Sequence, residues 1–296
     1  MSNPVKINKP WSSMGRIGIL LDSIRFEHSV FALPFAYLGM MMAADGLPSW
    51  DKVFWITIAM VSARTLAMGA NRYIDRDIDA ANPRTALRAL PAGLMKPSDM
   101  VLMCVISFIV FIFSAFMLNS LAFYLSPVAA FIIVFYSYSK RFTWLSHFWL
   151  GISDGIAPVG GWIAVSNTIT MDAAVLCLAV SSWIAGFDLI YQCMDRDFDI
   201  KNNLKSIPAN WSNKVSLSLA KLMHVITVAS LLSLGWTLDL SLVYFTGVAI
   251  ALLLLIYEHS LVKADDLSKV TVAFFNVNGY IAVTIFAFTA AAILMN

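Results

Sequence analysis

The sequence predicts an all-α polytopic membrane protein, with nine transmembrane helices around a central cavity, built from two parallel repeats within one domain over residues 1–296. Three observations predict it. Of 296 residues, 59% are hydrophobic and only 13% charged, against about 25% charged in a typical soluble domain. So little charge cannot cover a soluble domain of this size, which excludes a cytosolic globule, a disordered chain and a secreted disulfide scaffold. The apolar residues gather into runs of about 20, the length that spans a bilayer as a helix. All but two of the 20 Lys and Arg, Lys52 and Arg64, fall on one side of the resulting map.

The runs lie at about 24–43, 51–72, 100–118, 121–139, 144–166, 172–193, 215–236, 239–260 and 270–294. The first follows a polar, basic N-terminal segment, 1–23, that has no signal-peptide core. Separating the third from the fourth run requires a tight turn at Asn119-Ser120; fusing them would leave eight spans. Pro34, Pro127 and Pro158 fall inside runs and remove backbone donors there. The positive-inside rule makes the basic side cytoplasmic, with the N-terminus inside and the C-terminus outside. The net charge of +2 carries no basic field for nucleic acid. Cys104, Cys177 and Cys193 sit in apolar runs and read as packing residues. His28, His147, His224 and His259 have no ligand spacing and read as packing or interface residues.

Two stretches echo each other. Asp75, Arg76, Asp77, Asp79 and Asn82 recur 120 residues later as Asp195, Arg196, Asp197, Asp199 and Asn202. After a three-residue gap, Arg88 and Pro91 match Lys205 and Pro208. Both stretches end an even-numbered span on the cytoplasmic side, as a parallel repeat requires. Seven of the 18 acidic residues lie in these clusters. Asn71, Asp75 and Asp79 (motif 1, 71–79) share one helix face, as do Asp188, Tyr191, Asp195 and Asp199 (motif 2, 188–199). Like charges on one face repel unless solvent, cations or protons intervene. Short carboxylates beside an amide suit Mg²⁺, which takes one or two carboxylates and completes its shell with water and phosphate. Two such clusters fit ions that hold a diphosphate between them; the alternative is a pair of solvated helix ends.

Arg84, Arg88, Lys140 and Arg141 lie where guanidinium and ammonium groups can bind phosphate, although topology alone also places bases on that side. Arg64 is buried in the second span, where charge is costly. It lies on the face of Asn71, about 10 Å deeper at 1.5 Å per residue. It can hold a carboxylate, or form a structural pair with Asp154 or Asp188. Arg25 opens the first span and can do the same or reach to the interface.

The two motifs, with YSYSKRFT (136–143) and RTALRALPAG (84–93), resemble the signatures of the UbiA superfamily of intramembrane aromatic prenyltransferases. Ala89 stands where many members have proline, and Phe198 lies between the acids of motif 2; neither moves a ligand. The resemblance implies a cavity open to the cytoplasm and to lipid, and Mg²⁺-dependent transfer of a prenyl chain from its diphosphate to an aromatic acceptor. It implies Asn71, Asp75, Asp79, Asp188, Asp195 and Asp199 as metal-holding residues, and Arg84, Arg88, Lys140 and Arg141 as diphosphate contacts. It places Asp75, Asp195 and Tyr191 at the chemistry, and Arg64, Arg25 and Asn71 at the acceptor. DSIRFEHSVFALPFAYLG (22–39) and FFNVNGY (274–280) are similar to the 4-hydroxybenzoate polyprenyltransferase-like branch, which also prenylates 1,4-dihydroxy-6-naphthoate for menaquinone. The expected substrates are therefore a polyprenyl diphosphate and an aromatic acid, foremost 4-hydroxybenzoate for ubiquinone. The expected location is a bacterial cytoplasmic (inner) membrane, and no protein partner is predictable. A cation-coupled transporter is the competing class, but its site belongs near the midplane and these clusters lie at one face.

Overall fold

The computed structural model describes residues 15–24 and 26–295. The described chain is helical, with no β-strand; one isolated bridge joins Lys263 to Asp266. The helices in order are α1 Gly15–Ser23, α2 Phe26–Ala44, α3 Trp50–Ile74, α4 Arg76–Ala81, α5 Pro97–Leu118, α6 Ser120–Ser139 and α7 Ser146–Ser166. They continue as α8 Met171–Tyr191, α9 Arg196–Lys201, α10 Ile207–Asn210, α11 Asn213–Thr237, α12 Leu242–Leu261, α13 Val270–Val272 and α14 Asn278–Leu294. Among the described residues, 8 helices are long and apolar enough to cross a membrane. The first expected span corresponds to α2, of which the apolar stretch Leu33–Ala44 is described throughout. The basic segment before it is not uniformly irregular, since Gly15–Ser23 forms α1. Leu20 of α1 packs against a buried cluster of Ile24, Met100 and Met103.

The separation of the third and fourth spans depends on one residue. Asn119 is extended (φ −170°, ψ 173°), so helix α5 cannot run on into α6. Its side-chain oxygen accepts from Ala122 N at 2.9 Å and caps α6, which is what asparagine does well at this position. Its amide donates to Ile163 O and Ala164 O on α7, tying the turn to a neighbouring helix. Ser212 caps α11 and Thr170 caps α8 in the same manner.

The repeat is visible in the backbone. Helix α3 ends at Ile74 and α4 starts at Arg76, with Asp75 between them at φ −91°, ψ 5°. In the second unit a 3₁₀ turn, Gln192–Asp195, separates α8 from α9, and Asp195 sits at φ −96°, ψ 2°. Each unit thus breaks at the same carboxylate. Packing echoes this: α3 lies along α5 as α8 lies along α11. The first helices of the two units, α2 and α7, pack against each other and are shared by two rings. One ring runs α2, α3, α5, α6, α7; the other runs α7, α8, α11, α12, α14 and back to α2.

The α2–α7 contact is backbone on backbone. A Cβ on Gly39 would lie 1.9 Å from Pro158 O, and one on Gly161 would lie 2.1 Å from Ala36 O. Small residues permit such approach where lipid gives no hydrophobic drive for helix association. The second ring encloses the main apolar core, including Leu38, Trp162, Leu176, Trp183, Tyr244 and Ile281. Helix α5 instead exposes Leu102, Ile106, Ile109, Phe113 and Phe116, a lipid-facing stripe at three- and four-residue spacing.

Candidate active site

The acids of both motifs converge with the bases between them. Asp75, 2% exposed, accepts from Lys140 Nζ at 2.7 Å and Arg141 Nη2 at 3.4 Å. It also accepts from Asn71 Nδ2 at 2.9 Å. Asn71 is oriented by its neighbour Arg72, whose Nη1 donates to Asn71 Oδ1 at 3.3 Å. Asp79 is buried and takes Arg88 Nη1 on both oxygens, at 2.7 and 2.8 Å. Asp195, also buried, takes Arg84 through Nη2 and, at 3.1 Å, through Nε. Asn82 adds an amide donor to Asp195 at 3.3 Å. Asp199 accepts from Gln192 at 2.7 Å and Ser206 at 2.8 Å. The middle acids, Asp77 and Asp197, face outward, with side chains 85% and 94% exposed.

The pairing crosses between the units. Arg84 and Asn82 leave the loop after motif 1 and reach Asp195 of motif 2. Lys205 N, after motif 2, donates to Lys140 O at 2.8 Å. Burial acts against the Arg84 charge, but the Asp195 hydrogen bond and charge, followed by Tyr191 and Asp79, raise its pKa above the usual arginine value. A group raised this way loses its proton only in strong alkali, so Arg84 is a fixed cation at any physiological pH.

Tyr191 accepts from Arg84 Nη1 at 3.0 Å, and the guanidinium carbon stands 5.3 Å from the ring centre. The other side of the tyrosine stacks on Phe274, with centroids 4.0 Å apart. Phe274 belongs to the FFNVNGY run, which forms a single π-helical turn, Ala273–Val277. Asn278 donates from Nδ2 to two carbonyls of that turn, Ala273 O at 3.2 Å and Phe274 O at 3.3 Å.

Asp188 is positioned differently. His147, 1% exposed, donates from Nδ1 to Asp188 at 2.7 Å and accepts Ile207 N at Nε2, 3.3 Å away. The two contacts together require the neutral Nδ1–H tautomer. This histidine therefore does more than pack. Sequence spacing had no means of finding it, because its partner lies 41 residues away. Asn82 was detectable, as a member of the repeated stretch; Gln192 and Ser206 carried no signal.

Beneath the acids lies an apolar cavity enclosed by α2, α3, α5, α6 and α7. Arg64, Tyr136, Ser153 and Asp154 are its polar groups. Of the two partners open to Arg64, the structure selects Asp154, with Nη1 to Oδ1 at 3.2 Å. Arg25 lies outside the described residues.

Comparison with known proteins bears on the fold and the family. The UbiA prenyltransferase family model matches residues 32–280. A 4-hydroxybenzoate octaprenyltransferase of Burkholderia cenocepacia (strain HI2424) is 30% identical over 286 residues, covering 95% of this chain and 99% of that one. Among solved structures, the apo UbiA homologue of Aeropyrum pernix K1 is 31% identical with a TM-score of 0.82, covering 88% of this chain and 96% of that one. A UbiA homologue of Archaeoglobus fulgidus, solved with DMAPP and Mg²⁺, has a TM-score of 0.74 over 93% of this chain and 98% of that one. At 17% identity, that likeness is one of fold. Motifs, fold and relatives converge: the chain belongs to the UbiA prenyltransferase family and is an integral-membrane prenyltransferase.

Proposed function

We propose that this enzyme transfers a polyprenyl group from polyprenyl diphosphate to an aromatic acid, foremost 4-hydroxybenzoate, with Mg²⁺ as cofactor. The observation that carries the reading is the pairing of Asp75, Asp79 and Asp195 with Lys140, Arg141, Arg88 and Arg84, the last reaching from the first unit to the second. Four cations of phosphate-binding type and the carboxylates they neutralise occupy one face. The relatives carry the name 4-hydroxybenzoate octaprenyltransferase, which supports the acceptor.

Among the described residues no three acidic, His or Cys groups close around a bare ion. Mg²⁺ draws only part of its shell from protein and the rest from water and phosphate. Asp75, Asp79, Asp195 and Asp199 would hold it, with Asn71 and Asp188 at the margin. When bound, Mg²⁺ neutralises charge on the departing diphosphate. Arg84, Arg88, Lys140 and Arg141 exchange their carboxylate partners for phosphate oxygens and stabilise the same developing charge. Tyr191, held between Arg84 and Phe274, keeps the Arg84 fork oriented. The allylic C–O bond breaks; the apolar cavity walls keep water from the cation; the acceptor ring attacks ortho to its hydroxyl and loses a proton. Asp75, the buried acid of motif 1, assists removal of the phenolic proton. Arg64 faces the acceptor's carboxylate from the cavity. This face is turned to the cytoplasm of a bacterial inner membrane; the excess of Lys and Arg on that side supports this reading.

The test is transfer of a labelled prenyl chain in membranes, with 4-hydroxybenzoate or 1,4-dihydroxy-6-naphthoate as acceptor, in Mg²⁺ or in EDTA. Asp75→Ala and Asp195→Ala are expected to lower turnover at least about 100-fold, and EDTA to abolish it. Wild-type turnover in either variant would discredit the diphosphate site. Product mass decides between the two acids.

A further inference from the structure

In the cavity below the motifs, Arg64 is paired with an acid, Asp154, to which the proposed chemistry gives no task. Arg64 on α3 and Asp154 on α7 meet through one contact, Nη1 to Oδ1 at 3.2 Å. Their side chains are 18% and 30% exposed, and both line a cavity whose other walls are mostly apolar. Arg64 Nε is buried there with no hydrogen-bond partner. The guanidinium is therefore partly committed: one N–H serves Asp154, while the Nε–H is an orphan donor. Buried N–H groups left this way are rare and point to a missing acceptor atom.

A ring carboxylate suits that donor in geometry, since guanidinium and carboxylate pair edge to edge. It does not suit the site in charge. With Asp154 in place Arg64 is already neutralised, and a second carboxylate leaves two anions beside one cation in an apolar cavity, where like charges repel strongly. Asp188 offers no relief, being an acid itself and held by His147. A phenol without a carboxylate meets no such opposition.

We propose that Asp154 is a specificity-determining residue of the acceptor pocket. It competes with the acceptor's carboxylate for Arg64 and so sets how tightly an aromatic acid is held relative to an uncharged phenol with the same ring. The proposal rests on the reading of this cavity as the acceptor site.

The experiment is isothermal titration of the full-length protein in lipid nanodiscs with 4-hydroxybenzoate and, separately, with its methyl ester. Asp154→Asn keeps the shape of the side chain and removes the competing charge; Asp154→Ser is the second variant. The Kd for the acid is expected to fall at least about tenfold in both variants, each tenfold being about 1.4 kcal/mol, while the Kd for the ester stays unchanged. Acid binding that is no tighter in either variant overturns the proposal. So does equal tightening of acid and ester, which would show a change of shape, not of charge. If the acid tightens as expected but no prenyl group reaches either compound in the transfer assay, the activity assignment fails and the role of Asp154 stands.

Discussion

Replacing Gly161 by alanine tests whether the α2–α7 contact forms the wall of the cavity. The new Cβ would lie 2.1 Å from Ala36 O, 3.0 Å from Ala36 C and 3.1 Å from Met40 N. All three are backbone atoms, so no side chain can swing aside. Restoring an ordinary contact means parting the two helices by roughly 1 Å, and overpacking of this kind costs about 1–3 kcal/mol. The neighbouring Gly160 provides the control, because a Cβ there meets nothing within 4 Å. Both residues line the cavity, yet only one bears on α2. Tryptophan-monitored thermal unfolding in detergent is expected to show Gly161→Ala several degrees below wild type, at about 2–4 °C per kcal/mol for a chain of this order. Gly160→Ala is expected to match wild type in stability. An unaltered midpoint for Gly161→Ala, or an equal drop for Gly160→Ala, would refute the claim that close backbone packing joins the two units.

Two further substitutions probe the site. Arg84→Lys keeps the charge but cannot reproduce the two-pronged grip on Asp195 together with the bond to Tyr191; the KM for prenyl diphosphate is expected to rise about tenfold, and an unchanged value in steady-state assays would remove Arg84 from the proposed diphosphate site. His147→Ala strips Asp188 of its partner and leaves the buried Ile207 N–H without an acceptor. A loss of about 1–3 kcal/mol is expected from the unsatisfied donor, read as a lower unfolding midpoint together with a higher Mg²⁺ requirement in the transfer assay; normal values of both would show that His147 only fills space.

The sequence by itself determined the membrane class, the places where helices can run, the parallel repeat and the acidic and basic residues that make up the candidate site. These are properties of order along one dimension. Apolar runs of bilayer length must form helices, because backbone groups in hydrocarbon have no other partners. Asn119 ends a helix through its own side chain, so the break between α5 and α6 was visible at one residue. Asp75 and Asp195 stood at matching places, and the backbone breaks at both. What only the tertiary structure decided were the partners. Arg84 meets Asp195 across 111 residues, His147 meets Asp188 across 41, and Arg64 takes Asp154 across 90, not Asp188. A side chain's charge is written in the sequence, but whether it faces phosphate, carboxylate or lipid depends on which helix lies beside it. That is set by packing, such as the glycine contact between α2 and α7, which has no signature in the spacing of charges.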